Sequence, residues 1–489
     1  MINIYSRACE RIVKKALFID FWNCTPHLET SFELIKDLLD TGYKVTYIFC
    51  GHAVPYKEGI VFSPNEALFR SDLPEAKGVK LLNSKNLIFI SPKVLPLVNY
   101  PSKYDFIDIE DLKSFKYKNF EVGISVASSL ISLVKNSNLN VDVYRNEILQ
   151  MIDSAIRVYE FTINIINNTN PDEVYLFNGR FCNHRAVMRA AVESNIKLFI
   201  HERGATKLQY DLTTYMSHDQ NKAKDRILEI WDGVNKDVAA RKIGSDFFED
   251  RRLGKEQQGK SYTDKHQKGL LPTFDKSKKI ITFFSSSDYE FEAVGDIFKW
   301  EGWKNQFDAV LDLIDICKKK LDCQLIIRLH PNLADVSFDD RECWMSLKNN
   351  PDIIFISYDT PVDSYALIEN SDLIVNAGST IGVEAVYWGK PSLTLGPAFY
   401  SSMGATYGAK SYKELQTIID NVDSLNVNVD GALAFGYFIN TFGINYKHYV
   451  PITFNSGKFL GVDLQSKSQL WRWWAILKGI LRRRLLRQI

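Results

Sequence analysis

The stretches "LIIRLHPNL" (325–333) and "DLIVNAGSTIGVEAVYWGKPSLTLGPAFY" (372–400) decide the fold. The first begins with an apolar strand that ends at His330. The second begins with a short apolar strand, turns through the small polar residues 376–380, and continues as a short helix over 381–388. Short apolar strands that alternate with helices are typical of parallel α/β sheets, because parallel neighbours need a crossover connection.

The polar turn before this helix has the residue types of an anion site. Gly378 permits close approach to the backbone, and Ser379 and Thr380 directly precede the helix, where backbone N–H groups lack partners within the helix. Pro331 restricts His330 to an extended backbone, which fixes the direction of the imidazole. Together these residues predict a nucleotide-phosphate pocket to which His330 donates a hydrogen bond or charge. The alternatives are ordinary helix capping and a histidine that serves only structure.

These two segments resemble the bacterial capsule polysaccharide biosynthesis glycosyltransferases, the family that includes the Kdo transferases of capsule assembly. The resemblance extends over residues 280–410 and includes features of other enzymes with the two-Rossmann (GT-B) fold. It implies a transferase that uses a nucleotide-sugar donor, with a CMP-activated acidic sugar such as Kdo as the favoured donor. In related transferases a glutamate in such a helix binds the ribose, and Glu384 holds that place, with a purely stabilising role as the alternative.

Ser285, Ser286 and Ser287 occupy the first strand–helix turn of the same domain. Their hydroxyls are candidates to hold the donor sugar or its carboxylate, although serines also suit turns for local reasons. No Asp-x-Asp motif stands at a suitable strand end, so we predict no metal site and catalysis without a bound metal. His330 and the helix start would then stabilise the leaving group. The nucleotide sugar is a co-substrate, and no other cofactor is predicted.

The general base should come from the first domain and lie at a carboxyl end of its parallel strands, where ligands of such sheets bind. Glu202 is the favoured base, with Asp20 and His201 as alternatives. Asn178, Arg180 and Arg203 stand at the same predicted strand ends and are candidates to bind acceptor or phosphate; the arginines could equally pair with Glu202. The candidates at 201–203 are expected just after a strand over 197–200.

Strand–helix–strand patterns occur in both halves of the chain and predict two Rossmann-like, doubly wound α/β domains that face a cleft, followed by a C-terminal amphipathic helix. The predicted organisation is an acceptor-side domain over 1–215, a charged helical or linker segment over 216–276, a nucleotide-sugar-binding domain over 277–430, a C-terminal extension over 431–466 and a basic amphipathic helix over 467–489.

Composition excludes several classes of protein. Sixty basic and 59 acidic residues leave a net charge of +1, which gives no global attraction to nucleic acid. Seven cysteines without a CxxC pair are typical of reduced thiols. The N-terminus lacks the apolar core of a signal peptide, and no apolar run is long enough to span a bilayer. We therefore expect a cytoplasmic protein.

The tail, residues 467–489, combines seven Lys or Arg with a helical stripe of Leu and Trp that includes Trp473 and Trp474. This pattern predicts a helix that lies on the anionic inner surface of the cytoplasmic membrane. Packing on the protein itself or on a partner is the alternative.

The sequence thus predicts a peripheral membrane glycosyltransferase that moves a sugar from a nucleotide donor to a bacterial surface polysaccharide or lipid-linked glycan. Two rival functions are a nucleotide-sugar 2-epimerase, which needs no acceptor, and a non-catalytic component of capsule assembly or export.

Overall fold

The computed structural model describes residues 13–466 apart from 58–72, 101–103, 138, 256–265, 288, 290–291, 293, 296–297, 299, 337 and 402. The strands, numbered along the chain, are Lys15–Asp20 (β1), Lys44–Phe49 (β2), Leu87–Ile90 (β3), Glu173–Phe177 (β4), Lys197–Arg203 (β5), Gln209–Thr213 (β6), Lys279–Phe284 (β7), Cys323–Arg328 (β8), Ile353–Ile356 (β9), Leu373–Asn376 (β10), Ser392–Thr394 (β11), Tyr407–Gly408 (β12), Ile444–Asn445 (β13), Tyr449–Thr453 (β14) and Ser456–Phe459 (β15).

The α-helices are His27–Asp40 (α1), Pro74–Leu82 (α2), Ile109–Ser114 (α3), Val122–Val134 (α4), Arg145–Thr169 (α5), Cys182–Glu193 (α6), Gln220–Gly233 (α7), Val238–Arg252 (α8), Gln306–Lys318 (α9), Phe338–Met345 (α10), Ser364–Glu369 (α11), Ile381–Tyr387 (α12), Tyr412–Asp420 (α13) and Val429–Thr441 (α14).

The first sheet has the strand order β13-β6-β5-β4-β1-β2-β3. Strands β3, β2, β1, β4 and β5 are parallel, whereas β6 and β13 add an antiparallel edge. Along β1, Leu17 and Ile19 pack into the core on one face, and Ala16 and Phe18 into the core on the other. A strand buried on both faces reads as a continuous apolar run, which explains the segment "KALFID".

The second sheet has the order β12-β11-β10-β7-β8-β9, and all its pairs are parallel. Strand β7 alternates in the same way, with Ile281 and Phe283 facing one core and Ile280 and Phe284 the other. One mainly parallel and one fully parallel sheet, each packed between helices, confirm the predicted α/β, GT-B-type fold class. The predicted C-terminal amphipathic helix, residues 467–489, lies outside the described residues.

The charged segment between the two sheets contains α7 and α8, which pack against α14 in an apolar core of their own. Trp231, Phe247 and Phe248 meet Phe435 in this core. Helices α8 and α14 cross closely because neither has a side chain at the crossing: a Cβ at Gly436 would lie 2.2 Å from the carbonyl oxygen of Gly244. The segment is therefore anchored to the second domain through packing, in spite of its charge.

After α14 the chain returns to the first domain. Strand β13 pairs with β6, and the β14–β15 hairpin packs on α1. The fully buried Glu33 carboxylate of α1 accepts the backbone N–H groups of Lys447, His448 and Tyr449, at 2.6–2.9 Å for the shortest contact of each. The first domain is thus built from both ends of the described chain. The domain boundaries given in the sequence analysis stay predictions. Among the described helices, none is long and apolar enough to cross a membrane.

Candidate functional site

A cleft opens at the carboxyl ends of β7, β8 and β10, the edge at which ligands of parallel sheets bind. Its lining includes five of the residues predicted from the sequence to bind the donor. These five residues are Ser285, His330, Ser379, Thr380 and Glu384. The sequence segments that decide the fold therefore converge on one cleft.

His330 is held by its neighbours in a defined orientation. Its backbone N–H donates to Ser285 Oγ at 2.8 Å, and its Nδ1 accepts the N–H of Asn332 at 3.1 Å. A neutral imidazole that accepts at Nδ1 carries its proton on Nε2. His330 therefore has a ring N–H donor at Nε2, as a leaving-group phosphate needs.

The three predicted serines are all at most 6% exposed, and two of them brace the turn after β8. Ser285 Oγ accepts from His330 as described, and Ser287 Oγ accepts Nδ2 of Asn332 at 3.2 Å. Ser286 donates to the carbonyl oxygen of Ala377 at 3.3 Å, which ties this turn to the polar turn after β10. Of the three, Ser285 lines the cleft.

Gly378 makes the polar turn possible. It has φ +98°, and a Cβ there would lie 2.3 Å from the carbonyl oxygen of Pro397. The alternative of ordinary capping does not hold for Thr380, whose hydroxyl donates to Glu384 Oε1 at 2.9 Å. Ser379 Oγ accepts the N–H of Ile381, the first residue of α12, at 3.5 Å. The helix is also one residue shorter than expected, since it ends at Tyr387.

Glu384 is 2% exposed and is the centre of a hydrogen-bond network in the wall of the cleft. Besides the Thr380 hydroxyl, it accepts Tyr365 Oη at 2.7 Å and Arg251 Nε at 3.0 Å. Burial and the adjacent Glu384 carboxylate raise the pKa of Tyr365, so the phenol stays a donor. Sequence reasoning missed Tyr365 and Arg251, which come from α11 and from the end of α8.

Arg328 is a second cation that sequence reasoning missed. It is 3% exposed and lines the cleft. Its guanidinium donates to the carbonyl oxygens of Ser357 and Thr360, whereas its Nε has no hydrogen-bond partner among the described residues. Burial lowers its pKa to about 10, so it is still charged at neutral pH. An arginine within the apolar run "LIIRL" was the signal that could have identified it.

The carboxyl edge of the first sheet gathers the remaining candidates. The prediction that 201–203 follow a strand is wrong, because β5 extends to Arg203 through antiparallel pairing with β6. Within this ladder His201 is paired with Leu212 and Glu202 with Asp211. The three residues therefore project from a strand and not from a loop, which fixes their directions alternately on the two faces.

Glu202 is the most accessible of the three candidate bases, with 23% of its side chain exposed. Asn178 Nδ2 donates to it at 2.8 Å, and His27 Nδ1 lies 3.9 Å away. Burial raises the pKa of Glu202, and burial together with the nearby Arg203 lowers that of His27. A carboxylate with a raised pKa beside a neutral imidazole is suited to accept a proton. His27 was not identified from the sequence.

Asp20 and His201 lie deeper, at 4% and 1% exposure. Ser31 Oγ lies 3.2 Å from His201 Nε2, and burial lowers the pKa of this histidine to about 3. Burial raises the pKa of Asp20 to about 7. Both groups are enclosed, so of the three candidates Glu202 has the best access to an acceptor hydroxyl.

The charges of Arg180 and Arg203 act on Glu202, and the ring of Trp22 lies 6.0 Å from that of His27, the neighbour of Glu202. Trp22, which sequence reasoning missed, stacks on Phe181 with ring centroids 5.5 Å apart. The guanidinium of Arg180 lies 4.7 Å from the Phe181 ring centroid and donates to Ser132 Oγ at 3.0 Å. Arg203 donates to Asn455 Oδ1 at 2.8 Å. Flat apolar rings beside arginines are surfaces on which an anionic sugar can stack and pair.

The loop after β7 joins the two edges. Arg185 of α6 donates to the carbonyl oxygen of Val294 at 3.5 Å, and Lys113 Nζ lies 2.9 Å from Glu292. The second-domain segment that begins with the three serines therefore contacts the first domain. Carboxyl edges of two Rossmann-like sheets linked in this way define the class of a two-domain, GT-B-type protein.

Residues 273–449 match the family described as capsule polysaccharide biosynthesis protein, which confirms the resemblance stated from the sequence. The match lies in the second domain and the first part of the returning chain. No protein of curated function matches the chain.

Several solved structures are similar at low identity. Two are the beta Kdo 2,7 and beta Kdo 2,4 transferases KpsC of Thermosulfurimonas dismutans. The 2,7 transferase has 14% identity and a TM-score of 0.35, and the match covers 57% of this chain and 80% of that one. The 2,4 transferase has 13% identity and a TM-score of 0.37, and the match covers 54% of this chain and 78% of that one. A UDP-GlcNAc 2-epimerase from Neisseria meningitidis has 10% identity, a TM-score of 0.29 and coverage of 87% and 97%. All three are distant.

Proposed function

We propose that this protein is a glycosyltransferase of bacterial capsule or surface polysaccharide assembly. The cleft of the second domain would bind a nucleotide-sugar donor, and the carboxyl edge of the first sheet a glycan or glycolipid acceptor. The observation that carries the proposal is the cleft itself, in which His330, Arg328 and Arg251 meet at the polar turn around Gly378. The family match over residues 273–449 supports the same process.

The donor proposed is a nucleotide linked to an acidic sugar, of the CMP-Kdo kind. Such a donor carries a phosphate and a carboxylate, so it needs several positive groups. Arg328 and Arg251 supply two fixed cations, Glu384 is the carboxylate among the described residues that line the cleft, and His330 adds a neutral donor. Arginine suits this role because its planar fork binds oxyanions at two points.

Catalysis in this proposal depends on protein groups alone, without a bound metal. Donors from His330 and Arg328 would stabilise the charge that develops on the leaving phosphate. Glu202 would take the proton of the acceptor hydroxyl as that oxygen attacks the anomeric carbon. The ring surface of Trp22 and Phe181 would place the acceptor beside Glu202.

The first test is thermal stability of the purified protein with CMP, UDP, GDP, ADP and TDP. A nucleotide that binds only the folded state raises the melting temperature by mass action. We expect stabilisation by one nucleotide, CMP, and its loss in His330→Ala. His448→Ala is the matched control, since His448 lies on the C-terminal hairpin and contacts Asp37.

A second measurement separates transfer from the rival functions. Incubation with CMP-Kdo and a lipid-linked glycan should lengthen the glycan, and Glu202→Gln should abolish the transfer while it preserves stabilisation by CMP. Stabilisation by UDP with interconversion of UDP-GlcNAc and its 2-epimer would indicate the epimerase instead. The absence of a shift with any nucleotide at millimolar concentration would favour a non-catalytic assembly component.

Location at the inner face of the cytoplasmic membrane is part of the proposal. The basic and Trp-rich residues 467–489 support it through composition, because such segments bind anionic lipid headgroups.

A further inference from the structure

The β14–β15 hairpin has one packed face and one exposed face. Tyr449 and Phe459, which are paired across the ladder, are 2% and 0% exposed and pack against α1. Because side chains alternate along a strand, Val450 and Ile452 point the other way and are 63% and 58% exposed. The hairpin thus carries apolar side chains on both faces, and those of Val450 and Ile452 face away from the protein.

Neighbouring segments add further exposed apolar residues, and we call this group the hairpin surface. Its members are Leu208, Val450, Ile452, Leu460 and Val462, each at least 37% exposed. Backbone contacts hold the segments together: the N–H of Tyr446 donates to the carbonyl of Leu208 at 3.0 Å, and Lys207 Nζ donates to the carbonyl of Ile452 at 3.1 Å. Several exposed apolar side chains on neighbouring segments are more than the single ones usual on a protein surface, and such groups mark interaction sites.

Lysines surround the hairpin surface. Lys458 is exposed and pairs with Val450 across the ladder, and Lys207 lies against Ile452. Lys447 is also exposed but is engaged with Asp37 at 2.8 Å, and Asp463 is the acid within the connection that follows β15. Apolar residues flanked by lysines match an anionic lipid interface, in which the apolar groups insert and the ammonium groups meet headgroup phosphates.

The segment that connects the hairpin to the basic tail is packed on the first domain. Leu464, 1% exposed, packs in the same core as Tyr449 and Phe459, and Gln465 donates to the backbone carbonyl of Asn23. The described residues end at Ser466, so residues 467–489 start beside the hairpin. The basic residues 467–489 therefore follow directly in sequence on a segment that is packed beside the hairpin surface.

The tip of the hairpin reaches the acceptor edge. Asn455, in the turn between β14 and β15, accepts a hydrogen bond from Arg203, the residue next to Glu202. We propose that the hairpin surface docks onto an anionic lipid bilayer and, together with the tail, turns the acceptor edge of the first sheet towards the membrane. The acceptor would then be a lipid-linked glycan that enters from the bilayer; this last clause rests on the proposed function.

The test is flotation of the full-length protein with vesicles of phosphatidylglycerol and phosphatidylethanolamine, compared with phosphatidylcholine alone. The double variant Val450→Glu/Ile452→Glu changes two side chains that already face solvent. We expect its partition onto anionic vesicles to fall at least tenfold, since two apolar anchors are lost and repulsion is added. Val450→Ser/Ile452→Ser, which adds no charge, should fall by a smaller factor in the same direction.

The control is Val238→Glu/Leu321→Glu, which adds the same charge at sites 85% and 90% exposed elsewhere on the molecule and should bind vesicles like the wild type. Wild-type binding by both hairpin variants would overturn the proposal. Unchanged vesicle binding with a loss of self-association in sedimentation would assign the surface to a second copy of the chain. His330→Ala should still bind vesicles, so a failure of the transferase proposal and a failure of docking give different results.

Discussion

At the carboxyl end of β1, the Asp20 carboxyl is enclosed to 4% exposure, and burial raises its pKa to about 7 from an ordinary value of 3.8. A group whose pKa is raised in the folded state stabilises the fold below its unfolded pKa, and this contribution is lost as the pH rises through the folded value. Asp20 therefore penalises folding increasingly between pH 4 and pH 7.

Asp20→Asn should remove this penalty. We expect the variant to gain stability over the wild type as the pH rises from 4 to 7, by up to about 4 kcal/mol, and the difference to be constant above that range. Urea unfolding at a series of pH values measures it. A pH-independent difference for Asp20→Asn would contradict the assignment.

Arg328 holds the loop after β9 and brings charge to the donor cleft. Arg328→Met removes the hydrogen bonds to this loop and the charge in the cleft. We therefore expect nucleotide affinity, measured by calorimetry, to fall at least tenfold. Arg328→Lys should rescue little, because one ammonium cannot bond the carbonyls of Ser357 and Thr360 with the same geometry. Arg241→Met breaks an exposed pair with Asp430 and should leave affinity unchanged. Full affinity in Arg328→Met would remove this arginine from the donor site.

Site residues could be predicted from the sequence where they follow directly on a recognisable strand. They could not be predicted where they reach the site from an element that is distant in sequence. His330 and the turn at Gly378 follow strands directly, so their place at a sheet edge could be inferred. Arg251 reaches Glu384 from a helix in the charged middle segment, 133 residues away in sequence, and no local pattern shows this. Likewise His27 meets Glu202 through the packing of α1 on β5.

At the scale of elements, the turn between β10 and α12 depends on a residue without a side chain. Gly378→Ala would bring a Cβ to 2.3 Å from a backbone carbonyl and keep a positive φ, so we expect it to lower the unfolding free energy by about 3 kcal/mol or more. Gly389→Ala is the matched control: φ is +79° but nothing lies within 4 Å of the new Cβ, so about 1 kcal/mol is expected. Equal losses in the two variants would show that the close approach to Pro397 is unimportant.

Local periodicity predicted most strands and helices well, since β1, α1 and β2 are short-range patterns of apolar residues. It failed at β5, where residues 201–203 continue the strand because β6 pairs with them. At the start of α1 the Thr25 hydroxyl donates to Glu29 at 2.8 Å, and the helix begins at His27 without a side-chain cap. The end of β5 and the start of α1 both depend on hydrogen bonds, which the pattern of apolar residues does not encode.

At the scale of the whole molecule, the returning chain completes the first domain. A chain that ends after Phe442 would lack β13, so the edge of β6 would be exposed. It would also lack the three backbone N–H groups that donate to the buried carboxylate of Glu33. We expect aggregation and a melting temperature at least 10 °C lower, because an unpaired buried carboxylate and an apolar face are both costly. A chain that ends after Ser466 keeps these contacts and should melt like the full-length protein. Equal melting temperatures for all three would contradict the role given to the return.

The two-sheet architecture followed from the alternation of strands and helices, but the origin of the last strand of the first sheet did not. Strand β13 has two residues, Ile444 and Asn445, too few for any periodic pattern, and its partner lies far back in the sequence. The hairpin after it reads as an extension when only neighbours along the chain are considered.

The position of β13 in the sequence also determines when the first sheet can be completed during protein synthesis. The 230 residues between Thr213 and Ile444 must leave the ribosome before β6 can find its neighbour. At roughly 5–20 residues per second this takes roughly ten to fifty seconds, during which an open strand edge is presented to the cell. The second domain is therefore translated in full before the first is finished, and the nascent chain needs shielding over that interval from other strands.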